Sequence, residues 1–363
     1  MTSGPLRRHP LAVGGLLLGT AAGALAWLSV DASIDPVAWH PPAPPERSGP
    51  LAENRLLVGS DRVAHVDGPE DVAFDAEGRL YTGAEDGTVY RTVDPVEPDT
   101  TDAPVEPFAR TDGRVLGLEF DGEDLLAAAT DAGLLSIGPD GSVETLADAA
   151  DGREIAFADD LYVADDGTVY FTDATVHELF QDELFELRDT GRLLAYHPDT
   201  GETTVELDGL GFANGVEVGP DGESLLVTET SRYRVTRYWF DGERAGESEP
   251  FAENLVGYPD NVDAAGDGTY WVAIPSLRQD ALDWLQGHPG LKRLYGLLPD
   301  AVRERVSGDP YGLVLRLDGD GDVVESHHDP TGDVHFVTSA TPHDGALYLG
   351  SLQDDAVRRY TLE

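Results

Sequence analysis

One pattern decides the fold: VGPDGESLLVTE at residues 218–229, in which an Asp-Gly turn joins two short runs of β-forming residues. Asp-Gly at such a junction is a strong signal for a β-hairpin, because glycine adopts the positive φ that a tight turn requires. Related segments recur at a spacing of about 40–50 residues, which is what the four-stranded blades of a β-propeller require. They are FDAEGRLYTG (74–83), YVADDGTVYFTD (162–173) and AAGDGTYWVAI (264–274).

The repeats predict an all-β protein, a six-bladed β-propeller over residues 55–363. The six units begin near Glu70, Leu116, Asp159, Asn214, Asp260 and Val337. A strand within residues 55–63 is expected to pair into the last blade and close the ring. The fifth interval is lengthened by an insertion at about 276–310, whose apolar residues follow helical spacing. This short helical insertion can be a lid over the channel mouth, a foot on a membrane, or simple packing against a blade.

The composition limits the partners and the chemistry. The 363 residues include 69 acidic and 24 basic ones, for a formal net charge of −45. Nucleic acid is excluded as a partner, because phosphates are bound by Lys and Arg. The chain has no Cys and a single Lys, Lys292, so disulfides, thiolate zinc sites and cysteine nucleophiles are excluded. A surface rich in carboxylates and poor in lysine is typical of halophilic proteins, because dense carboxylates hold water in concentrated salt.

Residues 1–30 are predicted to be an N-terminal membrane anchor or signal. Their stretch LAVGGLLLGTAAGALAWLSV contains no charged residue and is long enough to cross a bilayer as a transmembrane helix. Arg7 and Arg8 precede it and Asp31 follows it. The positive-inside rule therefore predicts a single-pass protein of the cell membrane, with the N-terminus cytoplasmic and the propeller extracellular. The alternatives are a signal peptide cleaved near residues 24–26, which would give a secreted protein, and a twin-arginine export signal.

Residues 31–54 are predicted to be a Pro-rich linker. Six of these 24 positions are Pro, a composition that favours an extended polyproline II conformation and makes a semi-rigid spacer. We expect this spacer to hold the propeller off the membrane.

The register of the repeats indicates a metal site. Each innermost hairpin of four blades is closed by a turn glycine: Gly78, Gly167, Gly222 and Gly268. Eight residues before each glycine lies an oxygen-bearing side chain: Glu70, Asp159, Asn214 and Asp260. Because equivalent positions of successive blades meet at one height around the central channel, these four side chains should converge at one mouth. Oxygen ligands suit Ca²⁺ or another hard divalent cation, and the register contains no Cys or His that would favour zinc or copper.

Several segments carry a family resemblance. FANG (212–215), YPDN (258–261), RYWFDG (237–242) and HDGALYLGSL (343–352) resemble the strictosidine synthase-like and SMP-30/gluconolactonase superfamily of six-bladed calcium-dependent propellers. The similarity covers residues 55–363 and implies a central Ca²⁺ and the hydrolysis of esters or lactones, of the arylesterase or gluconolactonase type.

The same resemblance implies roles for individual residues. Glu70, Asn214 and Asp260 match ligands of the family's metal, and Asp260 matches a residue that acts as base or nucleophile in lactonase relatives. Asp159 departs from the family pattern, because relatives usually carry Asn at this position. Asp160 matches the second residue of the relatives' Asn-Asp pair and is expected to lie behind the metal ligands. Residues 336–342 read FVTSATP, without the glutamate that strictosidine synthase uses for condensation, so this reaction is disfavoured.

The predicted function is that of a membrane-anchored, calcium-dependent hydrolase of small-molecule esters or lactones. Asp260 would attack the substrate directly or activate water, and His335 and His343 would shuttle protons. The alternative for both histidines is a structural, hydrogen-bonding role. The alternative is a non-catalytic propeller, stabilised by calcium, that acts as a binding or scaffold protein. Structural roles are predicted for His328, Arg192, Arg234 and Tyr238.

Overall fold

A computed structural model describes residues 32–306 and 308–362, and over these ranges the chain is a six-bladed β-propeller. Six sheets of four antiparallel strands form the blades, so the predicted all-β architecture is confirmed. The innermost strands begin within two residues of the six positions predicted from the repeats.

The first half of the described chain forms three blades. It enters through a 3-10 turn at Gly49–Leu51 and strand β1 (Asp61–Ala64). Blade 1 contains β2 (Val72–Phe74), β3 (Leu80–Gly83), β4 (Thr88–Thr92) and β5 (Val105–Arg110). Blade 2 contains β6 (Val115–Asp121), β7 (Asp124–Ala129), β8 (Gly133–Ile137) and β9 (Val143–Ala147), followed by a small hairpin of β10 (Ala149–Ala150) and β11 (Arg153–Glu154). Blade 3 contains β12 (Ala158–Val163), β13 (Val169–Asp173), β14 (Gly191–His197) and β15 (Glu202–Leu210).

The second half completes the ring. Blade 4 contains β16 (Ala213–Val218), β17 (Ser224–Glu229), β18 (Arg234–Trp239) and β19 (Ser248–Ala252), with a 3-10 turn at Thr230–Arg232. Blade 5 contains β20 (Val262–Ala264), β21 (Tyr270–Ala273), β22 (Gly312–Leu317) and β23 (Val323–Asp329). Blade 6 contains β24 (Val337–His343), β25 (Ala346–Ser351) and β26 (Val357–Thr361), with β1 as its outermost strand.

Blade 6 joins the two ends of the propeller. Strand β1 pairs antiparallel with β26, with Asp61 opposite Arg359. The guanidinium of Arg359 donates a hydrogen bond to the Asp61 carboxylate at 2.8 Å. The predicted closure by an N-terminal strand is therefore confirmed, although the strand begins at Asp61 and the residues before it form a turn.

Apolar contacts between neighbouring blades hold the ring together. Between blades 4 and 5, Leu226 and Val235 pack with Val272 and Leu315, and all four are fully buried. Burying one such side chain contributes roughly 1.5–3 kcal/mol. Every blade is packed on both faces. Its inner strand is therefore held in one position along the channel axis, and so are the side chains at the start of that strand.

Four short helices interrupt the blades. Helix α1 (Phe180–Glu186) lies between β13 and β14, and helices α2 (Asp280–Gln286), α3 (Pro289–Tyr295) and α4 (Asp300–Arg303) lie between β21 and β22. The last three confirm the predicted helical insertion. The sequence analysis did not predict α1, because seven residues are too few to show a helical period.

Residues 32–54, predicted to be a semi-rigid spacer, lie against loops of the propeller. The backbone N–H of Val37 donates to the carbonyl of Glu186 at 2.9 Å, and that of Trp39 donates to the carbonyl of Gln286 at 3.0 Å. The buried Nζ of Lys292 donates to the carbonyl of Val37 at 2.7 Å. An extended chain rich in Pro satisfies none of its backbone groups internally, so its donors and acceptors are free to bond to these loops.

The predicted transmembrane helix at residues 1–30 lies outside the described residues. Among residues 32–306 and 308–362, no helix is both long and apolar enough to span a bilayer.

Candidate metal centre

The strand directions define two ends of the propeller. The innermost strands of blades 1, 3, 4 and 5 each start next to a predicted ligand and run away from it. Because strands alternate in direction within a blade, the loops between second and third strands lie at the ligand end, here called the upper end. These loops include α1 and the insertion with α2, α3 and α4. The hairpins closed by the turn glycines lie at the opposite, lower end.

The structure brings the four predicted ligands together at the upper end of the channel. Glu70, Asp159 and Asp260 can each place one carboxylate oxygen within 4.8 Å of the others. The side chain of Asn214 hydrogen-bonds to Asp260, which completes the group. All four residues are at least 94% buried.

Hydroxyl groups of neighbouring strands hold the backbone of these ligands. Thr172 Oγ1 donates to the carbonyl of Asn214 and Thr228 Oγ1 to that of Asp260, each at 2.6 Å. The carbonyl of Glu70 accepts from Thr338 Oγ1 at 2.7 Å. These threonines were not among the residues predicted from the sequence. A signal was present in blades 3 and 4, where the second strand ends in a Thr followed by an acid, in FTD and VTE.

Burial and repulsion between carboxyl groups make ionisation of all three unfavourable when no cation is bound. Burial, followed by repulsion from Asp260 and Asp159, raises the pKa of Glu70 well above its usual range. Burial and then Asp260 do the same to the pKa of Asp159. Burial raises the pKa of Asp260 to about 8, although the hydrogen bond from Asn214 opposes this.

Two oxygen atoms of the group have no hydrogen-bond partner. They are Glu70 Oε2 and Asn214 Oδ1, both buried. A buried polar atom without a partner costs roughly 1–3 kcal/mol, and a bound cation would satisfy both atoms while screening the carboxylates. The donor set consists only of oxygen, which hard divalent cations prefer. The residues present therefore fit a divalent metal.

A cavity of about 460 Å³ lies above the four ligands. Five phenylalanines give it an apolar wall: Phe157, Phe180, Phe185, Phe212 and Phe336. The insertion contributes Leu282, Gln286 and Val306 to the lining, so it covers the ligand end of the channel. This placement is that of a lid over the channel mouth, and the outer face of the same insertion is exposed.

The two predicted histidines do not line this cavity. His335 lies beside the upper end, and its ring faces the carbonyl of Asp333 at 3.5 Å. His343 ends strand β24 at the lower end, where its ring stacks on Phe74 with centroids 3.8 Å apart. Thr338 of the same strand contacts Glu70. His343 lies five residues farther along the strand, roughly 17 Å from Thr338. The structure therefore does not bring His343 to the site, because the strand runs the length of the channel.

Asp160 faces the lower part of the channel, where it ties two blades together. Its carboxylate accepts hydrogen bonds from the N–H groups of Leu161 and Val216, both at 2.8 Å, and so links blade 3 to blade 4. Other acids make the same kind of link to the next blade: Asp71 to Leu118, Glu119 to Val163 and Glu217 to Ala264. Sequence reasoning found only Asp160, because the other acids are indistinguishable from the acidic background.

Replacing Glu119 with glutamine should stabilise the chelated protein at pH 8 and leave it nearly unchanged at pH 5. Burial, with Glu217 nearby, raises the pKa of Glu119 to about 8. A raised carboxyl pKa means that the fold loses stability as the pH rises from the unfolded value to 8. Glutamine stays neutral and can still accept from Val163. We expect Tm at pH 8 to rise by about 5 °C, measured by circular dichroism at constant salt.

The matched control for this change is Glu123→Gln, in the exposed turn that follows the same strand. It should leave Tm unchanged at both pH values. A lower Tm of the Glu119→Gln protein at pH 8 would contradict the prediction, because it would mean that the fold uses the charge of Glu119.

A second cluster of metal-capable side chains joins α1 to the N-terminal segment. His177 Nε2 lies 2.7 Å from Glu186 Oε2, and the other oxygen of Glu186 accepts from the N–H of Asp35. Glu183 accepts hydrogen bonds from Thr175 and Thr190. Although burial opposes the charge, Glu186 raises the pKa of His177. Every carboxylate oxygen here has a donor, so the cluster is explained as an ion pair within the fold.

A six-bladed propeller with a buried oxygen site at one end of its channel defines the class of this protein. The family described as strictosidine synthase matches residues 159–243, and the one described as strictosidine synthase-like, N-terminal, matches residues 49–92. The chain is 36% identical over 323 residues to the protein STRICTOSIDINE SYNTHASE-LIKE 7 of Arabidopsis thaliana, covering 86% of this chain and 84% of the plant protein. The chain belongs to the strictosidine synthase-like family.

An animal relative agrees with this family assignment, and two solved structures share the fold. The adipocyte plasma membrane-associated protein of Gallus gallus is 34% identical over 369 residues, covering 93% of this chain and 86% of the bird protein. A gluconolactonase from Xanthomonas campestris shares the fold with a TM-score of 0.58 and 18% identity, covering 92% of this chain and 99% of the enzyme. Regucalcin from Agrobacterium tumefaciens, described as a calcium-binding protein, shares it with a TM-score of 0.54 and 14% identity, covering 84% of this chain and 96% of the other.

Proposed function

We propose that this protein is a divalent-cation-dependent hydrolase of small esters or lactones. One observation carries the proposal: the four buried ligands form the floor of an apolar cavity large enough for a small molecule. The likeness to a gluconolactonase fold supports the same reaction class. Ca²⁺ suits the all-oxygen donor set, and the fold of regucalcin, described as a calcium-binding protein, supports this choice.

The residues of this chain have separate tasks in such a reaction. Glu70, Asp159, Asn214 and Asp260 would hold the cation, which when bound polarises the carbonyl oxygen of an ester or lactone. Among the carboxylates on the cavity floor, Asp260 is the one that the family resemblance matches to a nucleophile or general base. Its carboxylate would attack the carbonyl carbon and expel the alcohol, which takes a proton from water, and a second water would then hydrolyse the acyl group; alternatively it would take a proton from the water that attacks.

The cavity wall indicates what kind of substrate fits. The five phenylalanines exclude water and offer apolar contact to an aryl or alkyl group, whereas a polyhydroxylated sugar would leave many hydroxyl groups without partners. The ionisable groups on the wall include Arg114 and Glu85, which offer polar contacts that would orient the ester. We therefore propose apolar esters or lactones rather than sugar lactones.

The proposal includes attachment to a membrane. The apolar run within residues 1–30 supports an anchor, and the named localisation of the animal relative is consistent with it. The acidic, lysine-poor composition supports a halophilic setting, so activity is best measured in molar salt.

A non-catalytic binding function is the second candidate. One observation favours it: among the described residues that line the cavity there is no histidine, the side chain that most often transfers protons in catalysis. In that case the cation would only tie the blades together.

Hydrolysis of phenyl acetate and of an aliphatic lactone by the purified protein separates the two functions. We expect turnover with Ca²⁺ and its loss with excess chelator, restored by adding Ca²⁺ back. Stabilisation by Ca²⁺ without turnover of either substrate would favour the binding protein.

A further inference from the structure

Exposed apolar side chains are concentrated in the insertion. Eleven large apolar residues are exposed in the described part of the chain, and five of them lie between residues 284 and 302. We call these five the insertion patch: Trp284, Leu291, Leu294, Leu298 and Val302. Trp284 is 60% exposed, an unusual state for the largest apolar side chain. Clustered exposure of this kind marks a contact surface rather than scattered surface residues.

The helices of the insertion are two-sided. In α3, Leu291 and Leu294 lie one turn apart on the outer face, and Leu298 continues their line. The opposite face of the same helix is buried: Lys292 donates to the N-terminal segment and Tyr295 stacks on α1. The inner face of the helix already packs within the described fold. The outer face is apolar as well, and packing within the described fold does not explain its apolar residues.

The chain enters the described structure at this patch. Gly296 lies between Leu294 and Leu298, and its carbonyl accepts from the N–H of Ser33 at 2.9 Å. A Cβ at Gly296 would come within 2.7 Å of the Ile34 side chain, so only glycine allows this approach. The uncharged run within residues 1–30 ends two residues before Ala32 and therefore leads directly to the patch.

The patch also covers the candidate metal centre. Leu282 and Gln286 of α2 line the cavity, and Trp284 of the same helix faces outward. The apolar surface, the arrival of the N-terminal segment and the cavity are thus all at the upper end of the propeller.

We propose that the insertion patch rests on the lipid bilayer, so that the upper end of the propeller faces the membrane. The bilayer is the occupant that these observations favour, because a membrane-spanning run would leave the lipid where the patch begins. Trp and Leu on an outward helix face are the residues that enter the boundary between headgroups and acyl chains. In concentrated salt, screening over about 3 Å removes the repulsion between an acidic protein and lipid phosphates. This contact rests on the membrane attachment proposed above and does not depend on hydrolytic activity.

Single-cysteine labelling tests this orientation, because the chain has no Cys of its own. The full chain with Leu291→Cys, carrying an environment-sensitive fluorophore, is reconstituted into phosphatidylcholine vesicles in molar NaCl. The matched control is Val324→Cys in β23, because Val324 at 45% and Leu291 at 44% are equally exposed and Val324 lies at the lower end. We expect nitroxide-labelled phosphatidylcholine to quench the label at 291 at least about twofold more strongly than the label at 324.

Three results would overturn the proposal. One is equal quenching by lipid at both positions, with both labels open to a water-soluble quencher. Another is a label at 291 that is shielded from water but not quenched by lipid, because the N-terminal segment or a second copy of the chain would then cover the patch. The last concerns a doubly polar variant, Leu294→Ser with Leu298→Ser. If the label at 291 remains fully quenched in that variant, the apolar side chains do not make the contact.

Discussion

Replacing Asp260 with asparagine should lower ester hydrolysis by about 10³-fold or more. The change keeps the size of the side chain and an oxygen that can face the cation, but it removes the nucleophile or general base. Phenyl acetate hydrolysis at saturating Ca²⁺ in molar salt measures this loss. We expect kcat to fall much more than KM changes, because the apolar wall that binds the substrate is untouched.

The folded state of this variant can be checked independently. Burial raises the pKa of Asp260 to about 8, so its ionisation destabilises the chelated protein as the pH rises toward 8. Chelated Asp260→Asn protein should therefore unfold at an equal or higher temperature than the chelated natural protein at pH 8. If the variant loses activity but keeps its stability, the loss lies in the catalytic step and not in folding.

The matched control is Asp320→Asn, in the exposed turn between β22 and β23 at the lower end of the same blade. Asn-Gly suits that turn as well as Asp-Gly does, so activity and Tm should not change. Full activity of the Asp260→Asn protein would remove Asp260 from the mechanism and favour the binding function.

Adding Ca²⁺ to the chelated protein should raise Tm by about 10 °C at pH 8. Binding at a thousandfold excess over Kd stabilises a protein by about 4 kcal/mol, and each kcal/mol corresponds to roughly 2–4 °C for a chain of this size. The physical source is the relief of repulsion among Glu70, Asp159 and Asp260, and new partners for the orphaned oxygens of Glu70 and Asn214.

The pH dependence of this effect has a definite sign. The three carboxyl groups have raised pKa values, so the chelated fold loses stability as the pH rises through those values. The cation stabilises the ionised carboxylates, so the loaded protein escapes most of this loss. The difference in Tm between loaded and chelated protein should therefore widen from pH 6 to pH 8.

The matched variant for this measurement is Asn214→Ala, which removes one ligand oxygen without changing the charge. Its response to Ca²⁺ should be much smaller, at constant ionic strength set with KCl. A response equal to that of the natural protein would contradict binding at these four residues, and another acidic part of the chain would then be responsible.

Hydrolysis and stabilisation together distinguish the proposed functions. An active protein that loses both properties on chelation is a metal-dependent hydrolase. A protein that loses only stability uses its cation to hold the blades together, and its cavity then serves for binding.

The register of the candidate ligands could be predicted because the blades repeat. Glu70, Asp159, Asn214 and Asp260 each precede a turn glycine by the same number of residues, and the alternation of a strand carries that spacing into space. The same argument could not find the cavity. Phe180 and Phe185 come from the unpredicted helix α1 and Leu282 from the insertion, and loops of this kind follow no repeat.

The placement of His343 shows where local reasoning ends. Its neighbourhood in the sequence, beside the Asp-Gly turn at 344–345, marks the end of a strand. The direction of that strand decides whether the ring reaches the ligands or the opposite end of the channel, and direction is set by pairing with β25. The linker is a similar case, since Lys292 and the loop carbonyls that hold residues 32–54 are far away in sequence.

The sequence by itself determined the six blades and the four side chains at the head of the inner strands. These features follow from short-range rules, namely hairpin turns and strand alternation repeated at nearly constant spacing. Only the tertiary structure decided that the insertion covers the cavity, that the N-terminal segment lies against it and that the acids of the lower channel link the blades. Those features depend on contacts between residues distant in the chain, where burial and hydrogen-bond pairing, rather than local preference, select the arrangement.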